Sequence, residues 1–175
     1  MALPFKMVFK GLGAKLMCGA LLGYTLCLFV GTLAPFDFTL DSSRLASRRE
    51  PVEWVPFSYV CPKCGYDLKN RALNFVMFVP FGLCLGLCLT RSSGLRSVVL
   101  VATSGLLISL TIETAQYFIP QRKPSGSDLV LNAVGSLAGG AMAVAARRIW
   151  RAERQKSECQ RTEIGGQGMR MGVGK

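Results

Sequence analysis

The chain is 175 residues long, half of it hydrophobic, with a mean hydropathy of +0.36 and a formal net charge of +11. Its apolar residues gather in discrete runs with the charges between them, which excludes an ordinary soluble helical bundle, whose helices carry charge along one face. The lack of histidine removes the His-ligated zinc triad and the Ser-His-Asp relay, and the positive charge is accounted for by membrane topology and anionic headgroups, so it makes no case for nucleic acid as a partner.

The pattern predicts an all-α membrane protein with four transmembrane helices, at approximately residues 15–34, 73–89, 95–119 and 129–146, in a compact antiparallel bundle. Each run is close to the ~20 residues that cross a bilayer. Lys6, Lys10 and Lys15 precede the first run as they would a secretory signal. That run is long, lacks a small-x-small cleavage site and leads into the aromatic-acidic segment PFDF (35–38), so it reads as an uncleaved helix. In the loop 35–72, the stretch PVEWVPFSYV (51–60) interleaves prolines with Trp54, Phe57 and Tyr59, a composition suited to the headgroup layer at the outer membrane surface. TRSSG (90–94) is a tight turn, and the short link 119–128 makes the third and fourth runs antiparallel neighbours.

Residues 1–146 form the transmembrane domain and 147–175 a basic, glycine-rich cytoplasmic tail. The tail's first half is expected to extend the fourth helix along the interface, anchored by Trp150, and its last dozen residues to be disordered. With both termini in the cytoplasm, thirteen Lys and Arg lie inside against eight outside, the sense of the positive-inside bias. Small residues recur four apart at Gly19/Gly23, Gly82/Gly86, Gly135/Gly139 and Ser136/Gly140. That spacing suits helix packing in lipid, where backbones must approach closely.

Glu113 lies inside an apolar run, where an ionisable side chain costs ~2.5 kcal/mol or more unless it faces protein, water or a ligand. Gln116 shares its helical face at i+3, and Asp128 and Asn132 share a face at i+4 in the first turns of the fourth helix. Under the predicted topology, Asp37, Asn74, Glu113, Gln116, Arg122, Asp128 and Asn132 occupy one layer near the outer interface. An Arg122 ion pair with Asp128 or Glu113 would lower the cost of either acid, and Asn74 and Asn132 can donate to the carboxylates. Asn74 and Asn132 taken alone fit a network that only locks helices, whereas Glu113 with Gln116 and Arg122 fits a ligand site. Glu113 and Asp128 are the candidate acid-base residues.

Cys61-Pro-Lys-Cys64 is half of a zinc-ribbon signature without the second thiolate pair. A local disulfide in an oxidising compartment is the preferred reading, and zinc at this pair the less favoured one. Cys18, Cys27, Cys84 and Cys88 lie in apolar runs as small packing residues, and Cys159 stands alone.

The sequence SLTIETAQYFIP with QRKPSGSDLVLNAVGSLAGG, carrying Glu113, Gln116, Arg122, Asp128, Asn132, Gly135 and Gly139, resembles the VanZ-like family of bacterial membrane proteins. Asn74 with FVPFG (78–82) resembles the family's Asn and Phe-x-Pro-x-Gly element, PFDF the exit of its first helix, and the likeness spans roughly residues 20–145. The chain departs from the family pattern at Ser125, where members often place another acid, and in the CPKCGYDL segment before the second span. The resemblance implies a multi-pass protein of the bacterial cytoplasmic membrane, in a group named for a protein linked to low-level teicoplanin resistance.

The leading expectation is that the polar site binds or modulates a cell-envelope component, lipid-linked or peptidoglycan-derived, and affects glycopeptide susceptibility. One alternative is a membrane-embedded enzyme using Glu113 and Asp128 on such a substrate. Another is a structural protein whose glycine seams, Gly82, Gly86, Gly135 and Gly139, dock a second copy or another membrane protein. Membrane lipids are partners in every case.

Overall fold

The computed structural model describes residues 12–47, 52–58, 65–89 and 94–171. Among these residues the chain forms five helices: α1 (Leu12–Leu33), α2 (Ser42–Ala46), α3 (Gly65–Cys88), α4 (Gly94–Tyr117) and α5 (Gly126–Met171). Four segments, Lys15–Leu33, Lys69–Cys88, Gly94–Tyr117 and Gly126–Ser157, are long and apolar enough to cross a membrane, so the chain has the all-helical, four-span architecture that its hydropathy predicts. Helix α2 is a single turn capped by Asp41, whose carboxylate accepts the Ser43 amide hydrogen at 2.9 Å. Cys61 and Cys64 lie outside the described residues.

Successive long helices reverse direction, so α3 and α5 run the same way, and they make the closest contact in the bundle. Glycine permits it. A Cβ on Gly82 would collide with the Ser136 carbonyl, one on Gly135 with the Phe75 carbonyl, and one on Gly139 with the Val79 carbonyl. At Gly86 a Cβ would lie 2.7 Å from that of Ala143. Lipid tails are as apolar as the helices, so this backbone proximity, with its dispersion contacts, is what makes association favourable. Helix α4 packs on another face of α5, where Gly105 receives the Ser136 side chain and Val101 lies against Gly140.

Helix α1 completes the bundle. Its Leu28 and Leu33 join Phe78, Phe81, Leu85, Val101, Ile112 and Ile119 in the core, with the Phe78 and Phe81 rings edge to face at 6.1 Å. Pro80 has no amide hydrogen to give its own helix. Next to that gap, Tyr24 Oη donates to the Met77 carbonyl at 2.6 Å and ties α1 to α3. A methyl group on Gly19, Gly23 or Gly31 would meet nothing within 4 Å, and Leu22 and Leu26 beside them are exposed, so this side of α1 faces lipid.

Helix α5 runs on to Met171, through the segment whose glycine content points to disorder. No proline follows Pro124, so every later residue keeps the amide that an α-helix needs, and glycine weakens a helix without terminating it. At the end of the bundle where α3 finishes and α4 begins, Arg147 Nη1 and Ser97 Oγ both donate to the Leu89 carbonyl, at 2.6 and 3.2 Å, and close the turn between those helices.

Candidate functional site

The C-termini of α1 and α4 and the N-termini of α3 and α5 share the opposite end of the bundle. Here the segment 52–58 does more than lie on a surface. It enters the bundle end and forms a parallel bridge between Glu53 and Ser125: the Glu53 amide donates to the Pro124 carbonyl at 3.1 Å, and the Gly126 amide to the Glu53 carbonyl at 2.8 Å. Trp54 and Val55 stay exposed, as aromatic and apolar residues at a headgroup layer do, while Glu53 is 2% exposed.

The buried Glu53 carboxylate is fully engaged. Arg71, from the first turns of α3, pairs with it at 3.1 Å, and Ser125 Oγ donates to its other oxygen. Burial pushes the Glu53 carboxyl up, but the hydroxyls of Ser125 and Ser127 and the Arg71 guanidinium outweigh it and hold the group below its ordinary value. Phe57 takes a φ of 62°, uncommon for a bulky side chain. In that conformation its amide donates to Ser127 Oγ at 2.7 Å and its ring lies 5.6 Å from the Arg71 guanidinium carbon. The backbone strain is held by these contacts.

Ser125 is the junction of the site. It precedes α5, and its Oγ accepts the amide hydrogens of Ser127 and Asp128 at 3.2 and 3.4 Å, the capping arrangement for a helix N-terminus. Its own amide donates to Glu113 Oε2 at 2.8 Å. One residue thus bridges Glu53 and Glu113. The loop thus brings an acid, Glu53, against the Ser125 hydroxyl.

Glu113 sits half-buried near the end of α4, and its other oxygen has no hydrogen-bond partner among the described residues. Asp128, in the first turn of α5, is close enough to act on it electrostatically. One turn deeper on both helices, Asn132 Nδ2 donates to Ser109 Oγ at 2.9 Å. Asn132 is 3% exposed, and its Oδ1 has no partner.

The remaining candidates go elsewhere. Gln116 donates to the Thr32 carbonyl at 2.9 Å, and the Arg122 guanidinium donates to the carbonyls of Ala34 and Gly31. Both satisfy the last turn of α1, whose carbonyls lack helical partners and carry the negative end of its dipole. Asp37 accepts from Gln121 at 2.7 Å and from Arg44 at 2.9 Å, and these contacts hold its carboxyl below the usual range. Asn74 lies half-buried in α3 with no hydrogen bond to a described residue. Glu113, Asp128 and Asn132 therefore share this end of the bundle, while Gln116 and Arg122 both bond to the end of α1.

Glu53, Arg71, Ser125 and Ser127 are part of the site although the sequence patterns do not single them out as ligands. A signal existed for Glu53: like Glu113, it is an acid within an apolar, aromatic stretch. Among the described residues no group of three or more His, Cys, Asp or Glu is arranged to hold a metal ion.

A model of the VanZ/LLP1 family matches residues 21–148. No curated protein and no solved structure matches the chain. The matched segment covers most of the sequence, including the membrane-spanning core and every residue of the Glu53 and Glu113 clusters, and the chain belongs to the VanZ/LLP1 family of membrane proteins.

Proposed function

We propose that the end of the bundle carrying Glu113 faces the cell envelope and recognises the polar headgroup of a lipid-linked or peptidoglycan-derived component, and that this recognition alters glycopeptide susceptibility. The observation that carries the reading is the state of Glu113. It is a carboxylate within a membrane-spanning segment, with one oxygen fixed by the Ser125 amide and the other without a partner among the described residues. A group used only to lock helices would have both oxygens engaged, as Glu53 does. The excess of Lys and Arg toward the termini and the α3–α4 turn supports placing this end away from the cytoplasm of a bacterial cell, in its inner membrane.

The test is Glu113→Gln at matched expression in cells whose teicoplanin susceptibility the wild-type chain changes. The substitution keeps the shape and the acceptor for the Ser125 amide while removing the charge. Susceptibility should return to that of cells lacking the protein; a folded variant with the wild-type phenotype refutes the reading.

The proximity of Glu113 and Asp128 favours a second reading, in which the pair shares a proton and acts as acid and base on the same class of molecule. Product formation by purified protein, lost in both E113Q and D128N, separates turnover from binding.

A further inference from the structure

Glu113 is closed off on its outer and inner sides. Its carboxylate holds the Ser125 amide, and Ser125 is itself buried against Glu53. The 52–58 segment covers the start of α5 so closely that a Cβ on Gly126 would lie 3.1 Å from the Trp54 carbonyl oxygen and 3.2 Å from that of Glu53. One turn above Glu113 on α4, the Tyr117 ring has the Trp54 ring against it, with centroids 6.4 Å apart. Toward the bundle interior, Ile112 and Gln116 of the same helix are buried.

The open side faces the bilayer. Leu110 and Leu106 stand at i−3 and i−7 from Glu113, so the three share one strip of α4, and both leucines are exposed within a membrane-spanning segment. Trp54 and Tyr117 mark the headgroup level. Glu113 is one turn inward of Tyr117, about 6 Å along the helix axis, where headgroups give way to acyl chains.

Two acceptors lie along the seam between α4 and α5. One is the second Glu113 oxygen, without a partner among the described residues. The other is Asn132 Oδ1: the Nδ2 of this side chain is fixed on Ser109 Oγ, one turn inward from Glu113, which leaves the oxygen buried with no partner. A buried amide oxygen without a donor is costly, so this atom points to a ligand independently of the access route. A molecule that fits needs O–H or N–H groups to give and a hydrocarbon chain to lie along Leu106 and Leu110.

We propose that the Glu113 site takes a membrane lipid sideways from the bilayer, past Leu106 and Leu110 of α4, and holds the hydrogen-bond donors of its headgroup on Glu113 and Asn132. This rests on the reading that the polar end recognises a headgroup. It narrows the ligand to a lipid-anchored one and excludes water-soluble fragments.

The test places a tryptophan reporter at the opening. In the full chain, with the native Trp54 and Trp150 replaced by phenylalanine, L110W reports on the α4 strip and L26W on the exposed face of α1. Each is reconstituted in vesicles of phosphatidylcholine brominated on its acyl chains, which quenches both reporters. Unbrominated competitors are then added. Phosphatidylethanolamine, phosphatidylglycerol and monoglucosyl diacylglycerol donate through N–H, glycerol hydroxyls and sugar hydroxyls, and phosphatidylcholine has no donor. At L110W at least one donor lipid should displace the brominated lipid about tenfold more effectively than phosphatidylcholine does, and that lipid identifies the headgroup. L26W should show no preference, and Glu113→Gln should abolish the one at L110W while keeping wild-type helicity. Equal displacement by all four lipids at L110W overturns the proposal, as does a preference that survives E113Q or that L26W shares. If it falls while E113Q still returns teicoplanin susceptibility to that of cells lacking the protein, headgroup recognition stands without lateral entry; unchanged susceptibility removes both. Should E113Q fail to fold, N132A decides by the same criteria.

Discussion

Replacing Glu53 with alanine removes the centre of the buried network at the polar end. The side chains of Glu53 and Arg71 are 1% and 11% exposed, so the variant would leave the guanidinium in a desolvated position without its carboxylate. It would also remove the acceptor for Ser125 Oγ. Breaking a buried pair by deleting one member costs about 3–5 kcal/mol, because the surviving charge stays desolvated. The same reasoning predicts that Arg71→Met is comparably damaging, and that Glu53→Ala with Arg71→Met together costs less than the sum, with a coupling of about 2 kcal/mol. Equilibrium unfolding in mixed micelles, applied to the four proteins of this cycle, measures each term. Single substitutions that cost less than about 1 kcal/mol and add without coupling would refute the assignment of Glu53 and Arg71 as a buried pair that docks the 52–58 segment.

The glycine seam gives a sharp contrast: Gly139→Leu forces a side chain into the Val79 carbonyl and the Leu83 amide, and should lower stability by at least about 3 kcal/mol in thermal unfolding, whereas Gly19→Leu, with nothing within 4 Å, should be neutral or slightly stabilising. The depressed pKa of Glu53 means that its contribution is fully present above the unfolded value, near 4.5, and is lost as pH falls through the lower folded value. Acid unfolding should therefore show a loss of stability below about pH 4.5 that Glu53→Gln flattens; an unchanged profile would contradict the network. Arg122→Ala removes the donors to the Ala34 and Gly31 carbonyls and should cost about 1.5–3 kcal/mol, with Arg122→Lys recovering only part because an ammonium lacks the planar fork; equal recovery in the unfolding assay would count against that geometry.

What the sequence revealed follows from which interactions are local. The four spans are visible because hydropathy over ~20 residues is a property of each segment alone. Glu113, Asp128 and Asn132 can be placed at one end because i, i+4 spacing and an alternating topology fix their depth. The partners of Gln116 and Arg122 could not be read that way. Carboxylates and helix-end carbonyls are both acceptors, and only the position of α1's last turn decides between them. Glu53 was hidden for a related reason, since its pairing with Ser125 joins segments 72 residues apart through a backbone bridge that no periodicity encodes. The direction of the closest helix pair was implicit in the alternation of spans, but that glycine would bring α3 and α5 together in preference to two antiparallel neighbours depends on which faces the loops allow to meet.

Recognition of an envelope headgroup requires the Glu113 end to face away from the cytoplasm, and cysteine accessibility in intact cells tests that most directly. In a background with the seven native cysteines replaced, Q121C reports on the polar end and R148C on the opposite one, both at exposed positions. A membrane-impermeant maleimide should label Q121C in intact cells and R148C only after permeabilisation. Labelling of R148C in intact cells with Q121C protected would place Glu113, Asp128 and Asn132 at the cytoplasmic face and contradict recognition of an envelope headgroup.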